Sequence, residues 1–292
     1  MVRGGSFRDR LESFLIYAGL TIFGLIVVMP FLHTIARSLS AELPILRNEV
    51  SIWPVHLTTD AYRRLLRGDY FWRAYKNTLL ITTVGTTLQM IITVITAYPL
   101  SRRYLPGRNF LMTLVIIVII FPPGLIPFYL AVRGFGLIDS YWAMILPYAF
   151  SSFNMIVLKS YFQALPTELE ESAIIDGAND LQVLWRIMLP LALPVIVTLT
   201  LFYMVANWNL FLPAIFFIND GRKQPLQVLL RDLIWSYQLM TETAPSEELE
   251  RMAGMEALKA SSVILTALPM LAAYPFLQRY FIKGITLGAI KG

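Results

Sequence analysis

The sequence contains no cysteine and only two histidines, His33 and His56. Without cysteine the chain has no disulfide bond, no thiolate nucleophile and no cysteine-built metal site. The two histidines are too few and too far apart for a histidine metal cluster, and an interfacial, hydrogen-bonded role is expected for His33. We therefore predict no catalytic residue and no metal site.

Motifs for nucleotide hydrolysis and for common hydrolases are also missing. There is no G-x-x-x-x-G-K-[ST] loop, no G-x-S-x-G and no H-E-x-x-H. The long apolar stretches carry almost no ionisable residues, and the two halves show no convincing repeat, which argues against an ion-driven secondary transporter. The chain is predicted to be non-enzymatic, so the energy for any transport must come from a partner.

Charge is scarce throughout the chain. Charged residues make up 15% and hydrophobic residues 57% of the sequence, and the mean hydropathy is +0.61. Soluble domains average about 25% charged residues, and a helix of about 20 apolar residues crosses a bilayer. The apolar runs are continuous rather than alternating, which favours helices over barrel strands. These features predict an all-α polytopic membrane protein.

Six apolar segments are predicted to cross the membrane as helices, after a cytoplasmic N-terminus at residues 1–12. They lie at about residues 13–35, 77–99, 110–131, 141–162, 188–217 and 260–280. The chain from 13 to 292 forms one six-span domain, in which the first span is retained because no cleavage site follows it. A cluster of prolines in the third span (Pro122, Pro123, Pro127) predicts a kink that faces either a neighbouring helix or a pathway.

The orientation follows from the short loops. Loop 100–109 carries three arginines, whereas loop 132–140 carries only Arg133. Because short cytoplasmic loops are enriched in Lys and Arg, both termini are predicted to be cytoplasmic. This orientation also places residues 163–187 in the cytoplasm.

A polar, glycine-containing segment interrupts the apolar pattern at residues 171–190. It reads Glu-Ser-Ala-Ile-Ile-Asp-Gly-Ala and ends in Ile-Met-Leu-Pro. Pro166 suits a first helical turn, Thr167 is a cap candidate, and the following glutamates complement the helix dipole. A helix is therefore predicted from about 167 to 176 with a turn at Gly177, followed by a second helical piece from about Leu181 to Pro190.

This segment resembles the EAA loop of bacterial ABC-importer permeases, with Glu171 and Gly177 at the spacing of that motif and Ser172 where alanine is usual. The resemblance implies a cytoplasmic coupling loop at 164–190 that docks on an ATPase; the alternative is a membrane-surface helix with solvated acids. The implied ATPase-coupling residues are Glu170, Glu171, Ala173, Asp176, Gly177, Ala178, Leu189 and Pro190.

Two further segments are similar to carbohydrate-importer permeases of the maltose-permease type. These are the tail at 275–292 and the Phe-Leu-Pro that follows Asn207-Trp208-Asn209. The likeness covers most of residues 70–292. The tail, together with residues 224–227 (Gln-Pro-Leu-Gln), also resembles the subset that imports polysaccharide fragments, including aldouronate and alginate permeases.

The resemblance implies an ABC type I importer permease fold in the bacterial inner membrane. It implies a heterodimer with a second permease, two ATPase subunits that bind ATP and Mg²⁺, an extracytoplasmic solute-binding protein and a sugar or polysaccharide-fragment substrate. The chain itself would hold no cofactor and contact lipid but no nucleic acid. The alternatives are a permease for another solute class, such as amino acids or phosphate, and a membrane-embedded enzyme or secondary transporter.

One loop and the C-terminal tail carry further expectations. The loop at 218–259 is long enough to be functional, and the resemblance implies that it docks the binding protein; the alternative is a self-packed lid. Glycines in residues 281–292 oppose a stable free helix, so an extended tail is predicted, and the resemblance implies that it inserts beside the ATPase; the alternative is a frayed terminus. The tail contacts would be Lys283, Gly284 and Lys291.

A sugar path needs aromatic faces for stacking and polar groups for sugar hydroxyls. The candidates are Tyr148, Ser152, Asn154, Tyr203, Asn207, Trp208 and Asn209. Interhelical hydrogen bonds would equally explain Asn207 and Asn209, and an interfacial aromatic belt would explain Tyr148 and Trp208.

Overall fold

A computed structural model describes the backbone at residues 7–243 and 249–289, and the side chains at 11–236, 254–273 and 275. Within these ranges the chain is helical and contains no strand, as predicted. The α-helices are α1 (Phe7–Ser38), α2 (Glu42–Leu46), α3 (Asp60–Arg67), α4 (Asp69–Ser101), α5 (Arg108–Ile120), α6 (Leu125–Gly134), α7 (Trp142–Ile145), α8 (Ser152–Ala164), α9 (Glu168–Ile175), α10 (Asp180–Val183), α11 (Leu189–Leu191), α12 (Leu193–Trp208), α13 (Leu212–Phe217), α14 (Leu226–Thr243) and α15 (Leu249–Ala289). Short 3₁₀ turns occur at Leu146–Tyr148 and Gly221–Lys223, and a π-helical turn occurs at Leu184–Met188.

Three helices in the described residues are long and apolar enough to cross a membrane. They are Leu11–Ser38, Asp69–Ser101 and Gly254–Ala273. Two bent helix pairs bring the total to as many as five if each pair is one broken span. The α5–α6 pair bends by 119° and the pair Asp180–Leu191 with Leu193–Trp208 bends by 81°.

Proline accounts for the first bend. The helix stops at Ile120, and residues 121–124, which include Pro122 and Pro123, are not helical. Proline has no N–H to donate and clashes with the preceding turn, so two in succession end the helix. The kink predicted in the third segment is therefore present, as a full break rather than a mild bend.

The fourth predicted segment, 141–162, is not one continuous helix. It consists of α7, a 3₁₀ turn and α8, separated by non-helical residues at 150–151. Pro147 removes one backbone donor from the turn, and the Ser151 side chain caps α8 by accepting a hydrogen bond from the Asn154 N–H at 3.3 Å. Polar side chains are thereby concentrated at a helix start inside an apolar segment.

The extended tail predicted for residues 281–292 is wrong as far as Ala289, because α15 continues to that residue through Gly284 and Gly288. Each glycine costs about 1 kcal/mol in a helix, but extending an existing helix needs no new nucleus. Lys283 and Gly284 lie on this helix, whereas Lys291 lies outside the described residues.

The chain forms two compact units. The first comprises Met1–Asp69 and Leu230–Leu268, and its core contains Ala36, Ile45 and Ala257. Within this unit His33 Nδ1 lies 2.7 Å from the Ser51 carbonyl oxygen, the hydrogen-bonded role expected from the sequence.

The second unit comprises Tyr70–Leu229 and Pro269–Gly292. One of its clusters packs α4, α8, the π-helical turn and α12 around Tyr98, Phe162, Val183 and Leu199. A second cluster joins α4, α7 and α13 through Ile81, Met144 and Ala214. Both candidate sites described next lie in this unit.

Candidate functional site

A cleft of about 780 Å³ opens between α4, the start of α8 and the end of α12. Its lining is aromatic, amide and aliphatic, without a charged side chain. The lining residues are Gln89, Pro147, Tyr148, Phe150, Ser151, Asn154, Phe202, Tyr203, Ala206, Asn207, Asn209, Leu210, Phe211, Leu212 and Pro213.

The cleft brings together most of the side chains that the sequence nominated for a sugar path. Those in its wall are Tyr148, Asn154, Tyr203, Asn207 and Asn209. Ser152 and Trp208 are buried outside the lining. The Trp208 ring packs edge-on against Tyr75, with 5.9 Å between ring centroids.

Asn207 belongs to a hydrogen-bond network between helices. Its Nδ2 donates to Gln89 Oε1 at 2.8 Å and to Thr86 Oγ1 at 3.1 Å. Gln89 Nε2 in turn donates to the Tyr148 carbonyl oxygen at 2.9 Å. Gly85 provides room for this network, because a Cβ there would lie 3.1 Å from Asn207 Nδ2.

The other polar cleft residues differ in the hydrogen bonds that their side chains form with the rest of the chain. Tyr203 shares a 2.7 Å hydrogen bond with Thr93. Asn209 is exposed and donates to the Val205 carbonyl oxygen at 2.9 Å. The Asn154 side chain is mostly buried and has no hydrogen-bond partner among the described residues. Its amide is therefore available to a group in the cleft.

Sequence reasoning missed Gln89, the polar centre of the cleft wall. The available signal was a glutamine near the middle of an apolar span, where an amide in contact with lipid would be costly. Because that cost is avoided only by facing protein or water, Gln89 could have been placed with the other path candidates.

The loop that follows α13 is held by charged and amide groups. Asp139 has a φ of 60° and accepts hydrogen bonds from the N–H groups of Asn219, at 3.2 Å, and Asp220, at 2.9 Å. The Lys223 ammonium lies 3.0 Å from the same carboxylate. The Asp220 backbone N–H and then Lys223 hold the pKa of Asp139 below its ordinary value. Hydrogen bonds from Arg222 lower the pKa of Asp220 to about 2.

The predicted coupling loop folds as a short helix, a tight turn and a second helix. Helix α9 ends at Ile175, and Gly177 adopts a φ of 84°. The Gly177 N–H donates to the Ile174 carbonyl oxygen at 3.0 Å and the Ala178 N–H to the Ala173 carbonyl oxygen at 2.9 Å. This is a Schellman ending, in which glycine takes the left-handed position at no steric cost.

The two helices of this loop begin within a residue of the predicted positions, at Glu168 and Asp180, but the cap of the first differs from expectation. Thr167 precedes α9, but its side chain makes no capping hydrogen bond, so that expectation is wrong. Asn179 caps α10 instead, because its Oδ1 accepts from the Gln182 N–H while Gln182 Oε1 accepts from the Asn179 N–H, each at 2.9 Å. This capping box was present in the sequence as Asn followed three residues later by Gln.

The eight predicted coupling residues occupy three environments. Glu171, Asp176, Gly177 and Pro190 are exposed. Ala173, Ala178 and Leu189 are half-buried and pack against the core of the second unit. Glu170 is buried, with 7% of its surface exposed.

Exposed apolar side chains surround the exposed residues among those predicted for coupling. They are Leu169, Ile174, Ile175, Leu181 and Trp185. Ile175 is 85% exposed, directly before the Gly177 turn. A patch of this kind on a loop predicted to be cytoplasmic is typical of a protein contact surface.

Glu170 forms a buried ion pair with Arg102, the residue after the last residue of α4. Burial raises the pKa of Glu170, and the Arg102 guanidinium opposes that rise. Arg102 also lies over the Tyr98 ring, 4.5 Å from its centroid. The pair joins the coupling loop to the end of the helix that carries Gln89.

Residues 89–287 match the family described as binding-protein-dependent transport system inner membrane component. The chain belongs to this family. It is therefore a membrane-embedded permease subunit of a binding-protein-dependent importer and an inner-membrane component.

Individual relatives of the permease match along nearly its whole length. It is 40% identical over 289 residues to the polygalacturonan/rhamnogalacturonan transport system permease protein YtcP of Bacillus subtilis, covering 98% of this chain and 100% of that protein. It is 44% identical over 269 residues to protein LplC of the same organism, covering 92% and 91%.

The permease is also similar to a chain in the crystal structure of a bacterial ABC transporter involved in the import of the acidic polysaccharide alginate. The TM-score is 0.87 at 30% identity, and the match covers 96% of this chain and 100% of that chain. The predicted type I importer permease fold and the resemblance to carbohydrate permeases are thus confirmed.

Proposed function

We propose that this permease moves oligosaccharide fragments of polysaccharides across the membrane through the cleft that contains Gln89, Asn154 and Tyr203. The observation that carries the proposal is the composition of the cleft wall: aromatic faces and amides line about 780 Å³ without a charged side chain. Sugar rings stack on aromatic side chains and sugar hydroxyls pair with amides. A volume of this size lies within the range of about 300–1,000 Å³ that is usual for small-molecule sites and exceeds what a single ion needs.

The same wall argues against the alternative solute classes. An amino acid or phosphate carries full charges that need partners once they leave water. The lining of the described cleft supplies none. The rings and hydroxyls that make up most of an oligosaccharide, neutral or acidic, need only hydrogen bonds and stacking, which the wall offers, whereas an amino acid or phosphate is charged over most of its small surface.

A uronate-containing fragment is the more specific candidate. It is favoured by the two relatives whose names or titles state polygalacturonan and alginate transport, at 40% and 30% identity over nearly the whole chain. Since this cleft wall is uncharged, the carboxylates of such a fragment would remain hydrated or be matched by the second permease.

Coupling to ATP hydrolysis is assigned to the exposed part of loop 164–190. The exposed Glu171, Asp176 and Gly177 stand beside the apolar Ile175, so the surface offers both charge and burial to a partner. The two ATPase subunits would bind ATP and Mg²⁺, and a second permease would complete the path. Both termini would be cytoplasmic, and loop 218–259 would face the solute-binding protein.

The test is reconstitution of the permease with its partner permease, its ATPase subunits and its binding protein in liposomes. Binding protein loaded with polygalacturonate or alginate oligosaccharides should stimulate ATP hydrolysis and uptake more than neutral maltodextrin does. Equal stimulation by neutral and acidic oligosaccharides would remove the uronate assignment. Stimulation only by an amino acid or phosphate would refute the carbohydrate proposal.

A further inference from the structure

The ion pair between Arg102 and Glu170 is unusually well shielded for a charged pair beside a surface loop. The two side chains are 10% and 9% exposed. The Tyr98 ring covers one face of the guanidinium at 4.5 Å, and Phe162 packs edge-on against Tyr98 with 6.0 Å between ring centroids. Two charges withdrawn from water this far are costly, and apolar residues of similar size would often serve stability as well.

The pair is also incompletely satisfied. Arg102 Nε and Nη2 and Glu170 Oε1 are buried and have no hydrogen-bond partner among the described residues. A purely structural ion pair gains most when every donor and acceptor is paired. The arrangement therefore suits a contact that fixes the position of α9 relative to the end of α4 better than one that is optimised for stability.

Two more side chains hold the same end of α4. Arg108 Nε donates to the Leu100 carbonyl oxygen at 2.9 Å, and Gln163 Nε2 donates to the Ser101 carbonyl oxygen at 3.1 Å. These bonds satisfy carbonyl groups that a helix end leaves free. They tie the end of α4 to α5 and α8. Among the described residues, the ion pair that ties this end to α9 is Arg102–Glu170.

Helix α4 extends without a break from this end to the cleft. Gln89 lies on it about 20 Å from Arg102, from the helical rise of about 1.5 Å per residue. Gln89 contacts both Asn207 on α12 and the Tyr148 carbonyl group before α8. A displacement of the Arg102 end can thus reach side chains in the cleft wall along one continuous helix, which includes Pro99 near that end.

We propose that Arg102 is a positioning residue that, paired with Glu170, fixes the coupling helix α9 to the end of α4 and transmits its displacement to the Gln89 network. This inference rests on the proposed coupling role of loop 164–190. Arg102 itself touches no substrate. Its role is to make α9 and α4 move as one body.

The first test uses the complete reconstituted importer and measures oligosaccharide uptake per ATP hydrolysed. Arg102→Glu and Glu170→Arg should each lower this ratio by about tenfold, within the usual range of coupling free energies. The reversed pair, with both substitutions, should recover most of the ratio. Arg103→Met and Glu168→Gln are matched controls, because both side chains are exposed neighbours of the pair, and they should leave the ratio unchanged.

The reversed pair keeps the test decisive if single variants fail to assemble, because leaving one buried charge unpaired can itself prevent folding. An assembled reversed pair with restored coupling supports the proposal. An assembled reversed pair that hydrolyses ATP without recovering uptake overturns it. Single variants that assemble and couple normally overturn it as well.

The second test needs no oligosaccharide, so its failure is distinct from failure of the proposed function. The chain has no native cysteine, so spin labels can be placed at Glu168→Cys on α9, outside the proposed ATPase contact, and at Ile91→Cys on α4, both exposed. In the complex the inter-label distance should stay the same with and without ATP. Arg102→Lys, which keeps the charge but loses the forked geometry, should broaden the distribution of inter-label distances or make it ATP-dependent. An unchanged distribution in Arg102→Lys would overturn the proposed coupling of α9 to α4.

Discussion

Substitutions at Gly177 separate the backbone requirement of the coupling loop from the contact that it makes with a partner. Gly177 has a φ of 84°, and a Cβ built there meets nothing within 4 Å. For any residue other than glycine, the left-handed conformation destabilises the fold by roughly 1–2 kcal/mol, and the effect is smallest for asparagine. Side-chain bulk adds no clash within this chain.

The backbone cost is tolerable for the fold. Domains are stable by about 5–15 kcal/mol, so a loss of roughly 1–2 kcal/mol at one exposed turn leaves the permease folded and inserted. Gly177→Ala and Gly177→Leu carry the same backbone cost and differ only in bulk. We therefore expect both variants to fold and copurify with the second permease, with Gly177→Asn the mildest of the three.

Transport coupling should distinguish Gly177→Leu from Gly177→Ala. If an ATPase surface lies against the turn, Gly177→Leu should lose uptake per ATP hydrolysed while Gly177→Ala keeps most of it. The assay is sugar-stimulated ATP hydrolysis together with uptake in proteoliposomes, with assembly checked by size-exclusion chromatography. Equal coupling in the Leu and Ala variants would refute the docking of a partner at Gly177.

Three further predictions concern the cleft, the loop after α13 and the tail. Asn154→Ala should raise the KM for uptake without loss of thermal stability, because the Asn154 side chain has no hydrogen-bond partner among the described residues. Asn207→Ala should instead lower the free energy of unfolding by about 1 kcal/mol, because it removes interhelical hydrogen bonds. Equal losses of stability in the two variants would contradict this difference. Since the pKa of Asp220 is lowered to about 2 from 3.8, its carboxylate should order its loop fully above about pH 4 and lose that effect as the pH falls toward 2. A spin label at Asn219→Cys should become more mobile over that range, and Asp220→Asn should make it more mobile at pH 7 than in the unmodified loop. A pH-independent signal would refute the assignment. Deletion of residues 286–292 should weaken copurification with the ATPase or lower its coupled activity while membrane insertion persists. If copurification and coupled activity are both unchanged, the tail does not contact the ATPase.

Much of the local structure was predictable because its causes are local. The lengths of the first, second and last apolar runs predict the three long membrane-compatible helices of the described residues, two adjacent prolines break the third segment, and Gly177 ends α9 in the left-handed conformation. Each of these effects depends on residues within a few positions of one another. For the same reason, the bounds of α9 agree with expectation to within about a residue or two, as is usual for helix ends.

The long-range contacts of the site were not readable from such spacing. The burial of Glu170 depends on Arg102, from which it is separated in the chain by helices α5 to α8. Nothing in the local pattern distinguishes Glu170 from the exposed Glu171 beside it. Likewise, Gln89, Asn154 and Tyr203 share one cleft only because α4, α8 and α12 pack together.

The sequence by itself determined the membrane class, the helical architecture, the two helices and glycine turn of loop 164–190, and the resemblance to carbohydrate importers. Only the tertiary structure decided which amides meet in the cleft, which glutamate of the loop is buried, and which arginine it joins to α4. The physical reason is that helix formation follows composition and short-range periodicity, whereas the partner of a polar group inside the protein is chosen by the packing of segments far apart in the chain.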